Sequence, residues 1–258
     1  VTTFTQIIEQ ITAGGDVTVP EDWLQGRTTY GGLSAALCVA GALRDNPDLP
    51  PLRAAQFTFV GPAAGALHIV STVLRRGKNS VFITSDVHAE TGIATRATLT
   101  FGAPRESALS FRGLPPPPVP APGDCANFFG GQSGPRFAAQ FEILRAGGHP
   151  PISGAPAPEL LVWIRHRDVA ARTGLLGLIA LADAMPPAAF SMFSAPAQIS
   201  TMTWGIDMID EATAGDGWHL MSSRGDNVAD GYSSQEMTLW NEFGVPLLAA
   251  RQVVALFV

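Results

Sequence analysis

The 258-residue sequence predicts an α+β fold in which two antiparallel sheets, each wrapped around a long central helix, join into one continuous sheet. Three observations lead there. Two apolar helical segments are each followed by four strand-like runs, short motifs recur about 150 residues apart, and a proline-rich stretch separates the copies.

The first copy opens with Thr3 to Ile11, a short amphipathic helix stopped by Gly14-Gly15. A second helix is expected from about Tyr30 to Leu43, where Leu33, Ala36, Leu37 and Ala40 recur at the spacing of one helical face. Strand-like runs follow at 54–60, 66–75, 80–89 and 93–101. Val81, Ile83, Ser85 and Val87 show the period-two alternation of a half-buried strand, and Glu90-Thr91-Gly92 forms the next turn. Between Leu114 and Gly123 the chain is mostly proline, which fixes φ and has no N–H, so neither a helix interior nor a central strand forms there. Residues 147–158 are a second Gly- and Pro-rich stretch.

The second copy has strand-like runs at 137–144 and 160–165, then a very apolar helix over Ala171 to Ala184, ended by Pro186-Pro187. Further strands are expected at 198–208, 218–223, 233–240 and 247–257. The expected organisation is an N-terminal unit 1–102, a linker 103–133 and a C-terminal unit 134–258.

The recurrence is specific. Gly65-Ala-Leu-His68-Ile-Val-Ser71 resembles Gly217-Trp-His219-Leu-Met-Ser222, Arg76-Gly-Lys-Asn79 resembles Arg224-Gly-Asp-Asn227, and Glu90-Thr-Gly92 resembles Glu242-Phe-Gly244. The offsets are 151 from His68 to His219, 148 from Asn79 to Asn227 and 152 from Glu90 to Glu242. Near-constant spacing indicates internal duplication. A helix apolar nearly all round must be buried, and a curved sheet wrapped around it meets that demand. Two such halves paired edge to edge also hide an exposed strand edge.

Composition sets several functions aside. A formal charge of −6 argues against binding nucleic-acid phosphate, and no segment reaches the ~20 apolar residues of a membrane span. The N-terminal residues do not read as a signal peptide, and a cytoplasmic location is expected. His68, His88, His149, His166 and His219 show no paired ligand spacing and no CxxC occurs, so no metal and no cofactor are expected. Nucleotide-binding glycine loops and the G-x-S-x-G serine elbow are absent. Cys38 and Cys125 lack an activating neighbour and read as non-nucleophilic, and His68 and His219 read as structural.

With Tyr30-Gly31-Gly32 opening the first helix, Asp183 in Leu181-Ala-Asp-Ala, Thr201 in Ile199-Ser-Thr-Met-Thr-Trp and Gln252 in Ala250-Arg-Gln-Val-Val, the chain resembles the double-hotdog acyl-CoA thioesterases, the group that includes acyl-CoA thioesterase II. The resemblance covers most of the chain outside the linker. It implies a tandem double hotdog hydrolysing acyl-CoA, with Asp183, Thr201 and Gln252 as catalytic residues and Tyr30, Gly31 and Gly32 as substrate-binding residues. It also implies a homodimer.

Taken alone, these residues admit other roles. Asp183 shares a helical face with Leu176 and Ile179, where a carboxylate is costly unless hydrogen-bonded; it either serves a backbone group or solvent gap, or works chemically. A repeat offset of 152 sets it opposite Gly31, bringing two helix ends toward one cleft. Gln252 reads equally as an outward polar residue of a strand, and Thr201 as an ordinary strand threonine. In the catalytic reading Asp183 accepts a proton from water or orients it, Thr201 and Gln252 hold that water, and backbone N–H groups after Tyr30 meet the carbonyl oxygen. Arg75, Arg76 and Lys78 are candidates for the adenosine-phosphate end of coenzyme A, or simply a solvated turn. The competing functions are a non-catalytic acyl-CoA-binding protein and a hydratase or dehydratase using His88 and Glu90.

Overall fold

Small side chains let the central helix of the first half sink into the molecule. In the computed structural model, which describes residues 2–12, 14–130, 134–210 and 217–258, every position from Gly32 to Ala42 of that helix is buried. The expected end of the linker at 131–133 lies outside the described residues.

The first half runs α1 (Phe4–Thr12), β1 (Val17–Thr18), β2 (Leu24–Gln25), β3 (Thr28–Thr29), α2 (Gly31–Asp45), β4 (Leu52–Phe59), β5 (Ala66–Arg76), β6 (Ser80–Ala89) and β7 (Gly92–Gly102). The second runs β8 (Ala126–Asn127), β9 (Phe141–Gly148), β10 (Glu159–His166), α3 (Leu175–Ala182), β11 (Gln198–Met208), β12 (His219–Ala229), β13 (Tyr232–Asn241) and β14 (Pro246–Phe257). Twelve strands form one antiparallel sheet in the order β1-β5-β6-β7-β4-β11-β14-β13-β12-β10-β9-β8. The halves join where β4 pairs with β11, from Thr58↔Thr203 to Ala54↔Asp207. That pairing hides two edges at once. α2 packs on β5, β6 and β7 and against α1 and α3, and α1 buries Phe4, Ile7 and Ile11 from one face.

Two expectations are corrected. The helix foreseen over Ala171 to Ala184 is divided, because Gly174 adopts φ +91, a left-handed conformation that a right-handed helix cannot continue. Before it lies a 3-10 turn, Val169–Arg172, capped by Asp168; after it α3 spans only eight residues. The second central helix is therefore short. Of the run 137–144, foreseen as strand, residues 137–140 belong to a 3-10 turn, Arg136–Gln140, and β9 starts only at Phe141.

The repeat register changes accordingly. α2 begins at Gly31 and α3 at Leu175, 144 residues apart, whereas the inward-facing Leu67 and His219 are 152 apart. Between its central helix and the first of its last four strands the second half holds fifteen residues, 183–197, against six, 46–51, in the first half, and they include Pro186-Pro187 and the 3-10 turn Ala188–Met192. His68 and His219 are not equivalent. His68 lies on the exposed side against Asp16, and His219 points into the core.

The proline stretch lies across the outer face of the second half. Leu144, Trp163, Leu220 and Trp240 form one cross-strand row there. The Trp240 indole N–H donates to the Leu114 carbonyl (2.8 Å) and that of Trp163 to the Pro120 carbonyl (2.9 Å). A segment without N–H groups still offers carbonyls, and the two indoles use them.

Burial of His166 and His219 makes stability pH-dependent. They are 1% and 5% exposed, His166 sits between Phe4 and Phe141 with its Nε2–H on the Gly177 carbonyl, and burial pushes both pKa values down to about 4. Between pH 4 and 6.5 the unfolded chain binds more protons, so stability present above 6.5 is lost as pH falls, by roughly 3 kcal/mol per histidine. Asp183, raised to about 7 by burial, opposes this over the same window and offsets about one histidine. Urea unfolding should show a net loss of roughly 2 kcal/mol between pH 7 and 4.5. Equal midpoints at both pH values would refute the account.

Candidate active site

The end of α3 meets the start of α2. Pro186-Pro187 prevent α3 from running on, and Asp183 occupies its C-terminal cap position with φ −104 and ψ 6. A Cβ on Gly31 would lie 2.6 Å from Asp183 Oδ2, so only glycine admits the carboxylate. At Gly32 a Cβ would lie 2.5 Å from both the Ala180 carbonyl oxygen and Tyr30 Oη, so there glycine admits the neighbouring helix itself.

A hydrogen-bonded relay leads from the backbone to the carboxylate. The Ala188 N–H donates to Gln235 Oε1 (2.6 Å), Gln235 Nε2 donates to Gln252 Oε1 (2.8 Å), and Gln252 Nε2 donates to Asp183 Oδ1 (2.6 Å). Its polarity is forced from one end. A backbone N–H only donates, so each glutamine presents its oxygen backward and its nitrogen forward, and Oδ1 must accept. A proton on Asp183 therefore belongs on Oδ2, the oxygen against Gly31.

Asp183 is 9% exposed, Gln252 4% and Gln235 1%. Burial raises the Asp183 pKa to about 7, opposed by hydrogen bonds from Gln252 and the Gly32 N–H. A carboxyl poised near neutrality suits a general base.

The strand register explains how these residues meet. Gln235, Gln252, Trp204 and Phe57 are successive cross-strand neighbours on β13, β14, β11 and β4. Inward positions of the corresponding first-half strands carry Val81, Ile83, Val87, Leu99 and Phe101. Ser85, also inward there, donates to the Cys38 carbonyl at 2.7 Å. Among the described residues the polar relay belongs to the second half alone.

The sequence-derived residues fall into three groups. Asp183 and Gln252 are in contact, and Gln252 faces inward rather than to solvent. Thr201 lies on the same sheet face, opposite Val254, partly exposed, with no side-chain hydrogen bond, to Asp183 or any other group, among the described residues. Tyr30 is 1% exposed, its hydroxyl donates to the Ala180 carbonyl (2.6 Å) and its ring stacks on Phe137 at 4.1 Å. Its side chain clamps the two helices. Arg76 is engaged by Asp48 and Asn46. A surface cleft of about 620 Å³, lined by Arg53 and residues 103–107, contains none of these site residues.

Gln235 and Trp204 were not singled out from the sequence. The signal for Gln235 was its phase, since Gln235, Met237 and Leu239 share the inward face of β13. Trp204 was hidden by a β-bulge between Thr201 and Thr203.

This fold matches known proteins. A structure from Alicyclobacillus acidocaldarius, described as a conserved protein of unknown function with hot dog fold, superposes with a TM-score of 0.85 at 22% identity, covering 94% of this chain and 92% of that one. An acyl-CoA thioesterase II from Mycobacterium marinum gives a TM-score of 0.72 at 15% identity, with 94% and 92% covered. A TesB protein from Mycobacterium avium subsp. paratuberculosis gives 0.76 at 14% identity, with 93% and 91% covered. The architecture is a hot dog fold. Residues 19–102 match the acyl-CoA thioesterase N-terminal domain and residues 114–256 the acyl-CoA thioesterase C-terminal domain, so the chain belongs to the acyl-CoA thioesterase family, enzymes of thioester hydrolysis. Comparison with curated protein sequences gives no match.

Proposed function

We propose that this protein hydrolyses an acyl-CoA thioester with a water molecule activated by Asp183. The observation that carries the reading is a buried carboxylate, held at Oδ1 by Gln252 and brought near neutral pKa, whose other oxygen lies at the glycine-lined start of α2. Asp183 Oδ2 takes a proton from water as the water oxygen bonds to the thioester carbon. The tetrahedral intermediate then expels coenzyme A by breaking the C–S bond, and Asp183 returns the proton to the departing sulfur. Acid and free thiol result.

Gln252 holds Asp183, giving one amide N–H to Oδ1 and accepting at its oxygen from Gln235. Thr201, inward-facing and with its hydroxyl unengaged, is the group that steadies the water. Gly31 and Gly32 admit the substrate carbonyl beside the helix start, while Tyr30 fixes the helices on either side. The proposed organisation is two hotdog units, 1–102 and 134–258, connected by 103–133, acting in the cytoplasm as a homodimer.

A panel of acyl-CoA thioesters of varied chain length, followed by release of free thiol, tests the reading. Turnover of at least one chain length is expected. Binding of acyl-CoA without thiol release would replace it with the non-catalytic acyl-CoA-binding function.

A further inference from the structure

Trp204 is 1% exposed, and its indole N–H is buried without a hydrogen-bond partner among the described residues. Such a group forfeits roughly 1–3 kcal/mol, and natural proteins leave few of them. Its ring stacks at 5.5 Å on Phe57, its neighbour on β4, and its neighbour on β14 is Gln252, the donor to Asp183. Phe59, one inward position beyond Phe57, has its ring edge 3.5 Å from where a Gly31 Cβ would lie. The indole is thus bracketed by the two elements that bound the site.

The bulge makes this placement deliberate. Three residues apart on a regular strand, Thr201 and Trp204 would point to opposite faces. The extra residue of the bulge pairs Thr201 with Val254 and Trp204 with Gln252, both inward, so both side chains enter the same face.

The reaction develops negative charge on the carbonyl oxygen, and around Asp183 the Gly32 N–H and one N–H of the Gln252 amide are already given to the carboxylate. We propose that the Trp204 indole N–H donates to the thioester carbonyl oxygen, stabilising the tetrahedral oxyanion while Asp183 activates water. An indole N–H suits this because it only donates and never competes for the proton that Asp183 moves. Closed off from solvent, it acts where one hydrogen bond to developing charge is worth most.

This inference rests on the thioesterase reading, and one experiment separates their failures. Trp204 is replaced by phenylalanine and, through nonsense suppression, by benzothienylalanine, an isostere with sulfur in place of N–H. Thermal melting of the isostere reports folding should Trp204→Phe misfold. With an acyl-CoA that wild type hydrolyses, the isostere is expected to lower kcat by about 10²-fold with KM within about twofold. A structural tryptophan would lose nothing on that exchange. Wild-type turnover with kcat unchanged in the isostere overturns the Trp204 assignment alone. No hydrolysis by wild type overturns the thioesterase reading and this assignment with it.

Discussion

Asp183→Asn is expected to lower kcat for acyl-CoA hydrolysis by about 10²- to 10⁴-fold, the range for a positioned acid-base group, with little change in KM. Asparagine retains an oxygen for the Gln252 amide and replaces Oδ2, the proton-accepting atom, with an amide nitrogen that accepts nothing. The same assignment fixes the pH dependence. Because the ionised carboxylate is the base and its pKa is about 7, wild-type kcat/KM should fall roughly tenfold per unit below pH 7 and level above it. Stopped-time thiol assays from pH 5 to 9 measure both. Full activity in the variant, or a flat profile through pH 7, would remove Asp183 from the chemistry.

Gly32→Ala and Gly31→Ala should fail in different ways although the residues are adjacent. At Gly32 the new methyl would meet the Ala180 backbone carbonyl and the Tyr30 hydroxyl, pushing α2 and α3 apart and breaking the Tyr30–Ala180 hydrogen bond. Overpacking and the lost bond together cost about 2–4 kcal/mol, a Tm drop of roughly 5–10 °C for a chain of this size. At Gly31 the methyl would meet Asp183 Oδ2 at 2.6 Å and otherwise only the Phe59 ring at 3.5 Å. The fold should hold there, with kcat down at least tenfold as the carboxylate is displaced. Calorimetry and kinetics on the pair decide it. A stable Gly32→Ala protein, or a Gly31→Ala enzyme with unchanged kcat, contradicts the geometry.

Where the sequence carried a strong local signal, the structure was legible in it. The alternation of Val81, Ile83, Ser85 and Val87 placed β6 at its observed limits, and the run from Gln198 to Met208 was found complete. Asp183 drew notice because a carboxylate in an apolar helical run needs an account. Other features depended on contacts that local pattern does not encode. Gly174 divides a segment that reads as one helix, since its left-handed φ arises in the fold. Gln252 was assigned to solvent as readily as to the core, because Ala250 and Val253 bracket it without fixing its phase. The bulge that turns Trp204 inward is a mismatch between two strands distant in sequence. Gln235 acquires its role only beside Gln252, seventeen residues on.

The strap also shapes how copies of this molecule could meet. A duplicated hot dog begins with two equivalent outer sheet faces, each able to receive another sheet. Here the second half's face is covered where the two indoles grip the Leu114 and Pro120 carbonyls. On the first half, Val70, Arg96 and Thr98 meet solvent. With one face occupied from within the chain, the first half's face is the one left open to a second sheet, and the two duplicated faces are made unequal by a segment of the chain's own backbone.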